Sequence, residues 1–422
     1  MIRERFDIDN KLILDFIREN KYDNSIEEGI VKWYALLGDK DFEKGRMQAI
    51  KVLQSIAKEA LLEINFPDKE KENLVTVFNP LESILRTALS LNSNQEKNNI
   101  KVRDHLNHSI RNLLFASFLI KYFHTDVNSI QQLKRQICIA AIFHDIGYPI
   151  QKLKKIGNNL KDGAFRDLLN SSGKIDFILD KPDDLLEIMD FFGKLANNLE
   201  INGPEIDKDR LLKKIKHIYQ RIITPAIAGQ GLFNSPHNLS SVILFLRPIL
   251  KNWKESQIYL QMKIETICDI CLAIAYHDRD MPFENFEIYN SDIPLITKII
   301  RIADELQEWD RVRCEESFVK DVEIDTSNTN FSITFIMKNS SLIPCDPLKF
   351  IPDKILGLAP IIDSDIVILT IVFPTETLIE KFEKLKTNDI IIKYNDGEIK
   401  GKPEKKTVVM TFNKLKVKIE LI

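Results

Sequence analysis

The feature that most constrains this chain is an apolar segment, residues 137–143, that runs directly into His144 and Asp145 and then Ile146-Gly147-Tyr148-Pro149. Seven consecutive apolar side chains with helical neighbours call for a buried helix. An ionised aspartate at the end of such a helix is costly unless a cation or hydrogen bonds compensate it. Any fold that buries this segment must therefore bring compensating groups to Asp145. Gly147 is placed to stop the helix and Pro149 to prevent its continuation, which fixes the pair on a rigid element rather than a loop.

The rest of the chain supplies a mostly helical frame. Among 422 residues, 44% are hydrophobic and only 14 are glycine, and the many Leu, Ile, Lys and Glu residues favour helix. Ile13, Phe16 and Ile17, and then Ile50, Leu53, Ile56 and Ala57, recur at three- and four-residue steps. Residues 1–99 thus read as an N-terminal helical region without evident chemistry. Residues 100–315 carry further apolar-faced helices over 113–119, 137–143, 242–246, 264–275 and 293–306. Within them, the Lys-, Asn- and Asp-rich stretch 157–225 reads as a peripheral, partly helical insertion. After residue 316 the period changes from helix to strand. Phe331, Ile333, Phe335 and Met337 alternate, and the β-branched run 366–373 suits a buried strand. A helix over 375–385 and strands over 390–394, 407–412 and 415–421 follow, with a turn at Asn395-Asp396-Gly397. The fold class is therefore mostly α, with a helical bundle, an N-terminal helical region and a C-terminal α+β domain over 316–422.

A net charge of −3 offers no global basic field, so nucleic acid is not the expected partner. The charged N-terminus lacks a signal peptide's apolar core, and no apolar run has the length of a membrane span. Five thinly spread cysteines, an odd number, fit reduced thiols. The expectation is a cytoplasmic protein without a membrane partner, able to form a homo-oligomer.

Seven histidines are present, and five lie in segments that can assemble one site. His105 and His108 open a helix in Arg103-Asp104-His105-Leu106-Asn107-His108. His144-Asp145 closes the apolar helix. His237 follows Ser235-Pro236 near another helix start, and His277 ends Ala273-Ile274-Ala275-Tyr276. Asp304 sits in Arg301-Ile302-Ala303-Asp304-Glu305-Leu306, on a core-like helix. Imidazoles with carboxylates suit Mn, Fe, Zn, Ni or Co, with Mg favoured as oxygen ligands dominate. His105 and His108 are three apart, hence on one face, and periodicity does not separate them.

The order His108, His144-Asp145, Asp304 resembles the defining motif of the HD superfamily of metal-dependent phosphohydrolases. The contexts His108-Ser109-Ile110, Phe143-His144-Asp145-Ile146-Gly147 and Ala303-Asp304-Glu305-Leu306 are similar to its first, second and last motifs. The resemblance covers roughly residues 100–315. It implies that His108, rather than His105, is the first ligand. His144, Asp145 and Asp304 complete one metal site, while His237 and His277 add the ligands of a two-metal branch with Asp145 bridging. His105 is left as a catalytic or substrate-facing group. The chain departs from the pattern in the long Asp145–His237 separation. It also has Tyr148 where cyclic-dinucleotide phosphodiesterases of the HD-GYP type carry a lysine.

The implied function is hydrolysis of a phosphate mono- or diester in a small nucleotide-like substrate, by water activated on one or two divalent metals. Arg103 and Arg111 flank the first histidines and can clamp a phosphate bidentately, or form surface salt bridges. The rival readings are an HD-type di-iron oxygenase, a hydrolase of a different substrate such as a deoxynucleoside triphosphate or a guanosine polyphosphate, and a non-catalytic ligand-sensing or interaction module. Cys268-x-x-Cys271 sits inside an apolar helix and reads as packing, as do Trp33 and Trp309. Lys152, Lys154 and Lys155 read as a solvated charge run. His124 and His217 read as structural or solvent-exposed.

Overall fold

In the computed structural model, the described residues are 7–20, 22–37, 42–63, 105–123, 130–151, 182–197, 207–228, 235–250, 257–278, 281, 293–307, 319–325, 331–337, 358, 367–373, 390–394, 397–404, 407–412 and 415–421. They fall into two compact units. The first comprises residues 1–48, 114–126 and 301–422, and the second residues 49–113 and 127–300. The N-terminal and C-terminal regions, separate flanks in sequence, thus contribute to one unit.

The first unit contains α1 (Asp7–Asn20), α2 (Asn24–Leu36) and the start of α3 (Phe42–Glu63). Asp23 caps α2 by accepting from the Ser25 amide at 2.7 Å, satisfying one orphan N–H of the first turn. Leu12, Phe16, Ile30 and Trp33 form the buried face, so Trp33 is a packing residue. The strands among this unit's described residues are β1 (Val319–Asp325), β2 (Phe331–Met337), β3 (Val367–Phe373), β4 (Ile390–Tyr394), β5 (Gly397–Glu404), β6 (Thr407–Phe412) and β7 (Leu415–Leu421), in the order β1-β2-β3-β7-β6-β5-β4. β3 is parallel to both β2 and β7, and the remaining pairs are antiparallel. Tyr394 pairs with Gly397, which makes β4 and β5 a hairpin. The helix expected over 375–385 lies outside the described residues.

The second unit is helical among its described residues. It holds the start of α4 (His105–Phe123), then α5 (Ile130–Phe143), α6 (Pro182–Asn197), α7 (Lys208–His217), a π-helical segment (Ile218–Ile223), α8 (Thr224–Ala228), α9 (His237–Leu250), α10 (Gln257–Ala275) and the first half of α11 (Leu295–Leu306). α5 packs on α10, and α10 on α9, through fully buried Ile137, Ile139, Phe143, Phe245, Ile267 and Ile270. Phe143 and Phe245 meet with ring centroids 5.5 Å apart.

The expectation of a peripheral segment over 157–225 fails for its described part. Phe191, Phe192, Leu211, Ile215, Ile218, Ile222 and Ile223 are buried, and α6 packs on α9. Its charge is placed to suit burial. Lys214 reaches from α7 to Asp269 at 2.7 Å and Glu265 at 3.1 Å on α10. No described helix is long and apolar enough to cross a membrane.

Candidate metal centre

The helix end at His144-Asp145 has the compensation its sequence demands. His144 is fully buried and Asp145 nearly so. The Asp145 carboxylate is split between two pairs of rings. Its Oδ2 lies 3.7 Å from the Nε2 atoms of both His108 and His144, and its Oδ1 lies 3.3 Å from His237 Nε2 and 3.5 Å from His277 Nε2. Within each pair the nitrogens also approach closely, at 3.3 Å for His108 and His144 and 3.3 Å for His237 and His277. Four imidazoles and one carboxylate from four separate segments therefore converge, all within the second unit. His144, Asp145 and His277 each offer a ligand atom within 4.8 Å of the others.

Local structure holds each ring. His144 Nδ1 donates to the Ala141 carbonyl at 2.7 Å, and His277 Nδ1 to the Ile274 carbonyl at 2.6 Å. A carbonyl only accepts, so in the neutral rings the proton is on Nδ1 and the lone pair on Nε2 points into the cluster. α9 is pinned beside α10 by Asn238, which donates to the Ala275 carbonyl at 2.6 Å, and this sets His237 beside His277. The Gly147 amide donates to Ser241 Oγ at 2.8 Å, tying the His144-Asp145 turn to the same helix.

Gly147 and Pro149 act otherwise than the sequence suggests. Gly147 is needed because the backbone of α9 passes too close for any Cβ, with His237 O at 2.3 Å from that position. Pro149 lies within a short helical turn, 148–151, rather than blocking one. Its fixed φ and missing N–H are tolerated in a first turn.

The electrostatics agree with a cation site. Burial alone would raise the Asp145 carboxyl. The adjacent His144 and hydrogen bonds from His237 and His277 outweigh it and hold the group well below its ordinary value. A hydrogen bond from His277 Nε2 requires a ring already donating from Nδ1 to be an imidazolium. A metal ion supplies the same positive charge without protonating the rings. Four inward imidazole nitrogens around the two oxygens of one carboxylate form a donor set suited to Mn, Fe, Zn, Ni or Co. These buried His and Asp groups can hold a metal ion.

No family model, curated protein or solved structure matches the chain. The helical fold and its His/Asp cluster are compatible with an HD-type domain.

The other expected residues are placed as follows. His105, at the first position of α4, is buried with its ring 5.9 Å from that of Tyr148, while His108 enters the cluster. Tyr148 also lies 6.3 Å from the His237 ring. Asp304 is half-buried on α11, four residues past the point where that helix passes from the second unit to the first. Arg111 is fully buried rather than at the surface. Arg103, His124, Lys152, Lys154, Lys155, Trp309, Cys314 and Cys345 lie outside the described residues. Cys268 and Cys271 are buried, and burial pushes both thiols well up, as suits packing rather than ligation. His217 is buried rather than solvent-exposed, and its Nε2 and the Tyr276 hydroxyl share a hydrogen bond at 2.6 Å.

Asp278 was not singled out by sequence reasoning. Its Oδ2 lies 3.5 Å from His237 Nε2, so His237 stands between two carboxylates. The signal was present, because His277-Asp278 repeats the His-Asp order after an apolar helix.

Proposed function

We propose that the second unit is an HD-type, metal-dependent phosphohydrolase domain acting on a phosphate mono- or diester of a small, nucleotide-like substrate. One observation carries the reading. The Asp145 carboxylate presents one oxygen to His108 and His144 and the other to His237 and His277. That division suits a pair of cations. His108, His144 and Asp145 would hold the first, with Asp304 as the further ligand assigned from the motif order. His237, His277 and Asp145 would hold the second, with Asp278 at hand.

Divalent cations there would supply a water ionised near neutral pH and neutralise charge on phosphoryl oxygens. The chain's own residues set the conditions for that chemistry. The Ala141 and Ile274 carbonyls fix the tautomers that leave His144 and His277 Nε2 free to ligate. Buried Asp145 stays ionised at neutral pH. His105, outside the cluster and against Tyr148, is the imidazole left to hand a proton to the leaving-group oxygen from a ring nitrogen.

The test is elemental analysis of the purified full chain and of a His144→Ala/Asp145→Ala variant, with turnover of bis(p-nitrophenyl) phosphate and p-nitrophenyl phosphate. The expected result is about two equivalents of a first-row divalent metal in the wild type, lost together with diester hydrolysis in the variant. About one equivalent with monoester turnover moves the reading to the nucleotidase-like branch. Iron with oxygen-dependent turnover moves it to an oxygenase. No metal after reconstitution overturns it.

A further inference from the structure

Asn112 lies one helical turn past His108 on the same face of α4, and it is fully buried. Its neighbours along the helix, Leu113, Leu114, Phe115 and Ala116, are all buried and apolar. Its Nδ2 is 3.2 Å from His144 Nε2, and its Oδ1 has no hydrogen-bond partner among the described residues. A buried acceptor left unpaired costs about 1–3 kcal/mol.

Turning the amide over does not remove the cost. The two ends of an amide are interchangeable in shape, so the flipped side chain would set Oδ1 against His144 Nε2. That nitrogen carries a lone pair, because Nδ1 is committed to the Ala141 carbonyl at 2.7 Å. In one orientation an oxygen is orphaned. In the other, Oδ1 and His144 Nε2 are two acceptors face to face, and a positive ion held between them turns that repulsion into ligation.

We infer that Asn112 is itself a metal ligand, its amide oxygen joining His108 and His144 around the cation on the Oδ2 side of Asp145. This rests on the metal-centre reading above. A neutral oxygen donor hardens the site, favouring Mn2+, Fe2+ or Mg2+ over Zn2+ relative to an all-imidazole set.

The experiment titrates Mn2+ and Zn2+ calorimetrically into the metal-free full chain, as wild type and as Asn112→Leu, alongside urea unfolding of both metal-free proteins. Asn112→Leu is expected to weaken Mn2+ binding by about 10–100-fold, Zn2+ binding less, and to leave the metal-free midpoint unchanged or raised. An asparagine serving only the core gives the reverse pattern: a lower midpoint and unchanged Mn2+ affinity. Should Asn112→Leu not fold, Asn112→Cys loaded with Co2+ decides. Ligation gives a thiolate-to-cobalt charge-transfer band absent from wild type, and bound Co2+ without that band overturns the assignment. Failure of wild type to bind any cation defeats the metal-centre reading and this one together. Binding by wild type and Asn112→Leu alike defeats only the role of Asn112.

Discussion

Gly147 shows how much one missing side chain contributes. A Cβ there would lie 2.3 Å from His237 O, 2.8 Å from Ser241 N and 2.9 Å from Ser240 Cβ. The first two are backbone atoms, which cannot rotate aside. Gly147→Ala should therefore cost about 1–3 kcal/mol and displace the residue that carries His237. The expected outcome is a lower urea midpoint together with weaker cation binding. A wild-type midpoint for Gly147→Ala would show that α9 does not approach this closely. The sequence showed a glycine after His-Asp, and helix termination was the natural reading. What faces a glycine is set by a helix some ninety residues away, beyond any local pattern. For the same reason periodicity left His105 and His108 equivalent, and only the position of His144 separates them.

At the scale of elements, the long apolar helices were legible because each buries a broad face. α5, α9 and α10 all cover the segments expected of them. α7 was hidden by its composition, Lys-Asp-Arg-Leu-Leu-Lys-Lys-Ile-Lys-His, although Leu211 and Ile215 have helical spacing. β5 was missed because Gly397, Gly401 and Pro403 oppose strand formation, and it forms by pairing with β4 and β6 on either side. Lys214 is the anchor that makes α7 part of the core. Burial lowers its ammonium pKa, but Asp269 and Glu265 more than offset that and leave it raised. Burial in turn raises Asp269 above the ordinary aspartate value, against the pull of Lys214. Lys214→Met removes the cation from a buried carboxylate and should cost about 3–5 kcal/mol, whereas Lys214→Met/Asp269→Leu should recover most of it. Denaturant unfolding of both variants checks this, and equal losses would mean that Lys214 acts through packing alone.

Over the whole molecule, two bound species, the proton and the cation, should tune stability in opposite senses. Burial, and then the nearby charge of Arg221, push His217 down from 6.5 to about 4. The unfolded chain therefore takes up this proton first on acidification. Stability from His217 is complete above the unfolded value, declines as pH falls from 6.5 towards about 4, and levels below that. The swing is on the order of 3 kcal/mol. His217→Phe should lose this part of the acid sensitivity, read as the difference between urea midpoints at neutral pH and at about pH 4.5. A divalent cation works the other way, since it binds the assembled cluster and not the unfolded chain. At a hundred times its dissociation constant, one such ion adds about 2.7 kcal/mol. Chelation should accordingly lower the melting temperature, and Mn2+ should restore it, with no such response in His144→Ala/Asp145→Ala. Hydrogen exchange locates the effect. Added protection is expected where ligands begin or end helices, at the starts of α4 and α9 and the ends of α5 and α10, and not in β4–β7. Protection spread evenly through those strands, or a cation response that survives the double substitution, would place the binding elsewhere and remove the His/Asp cluster from the account.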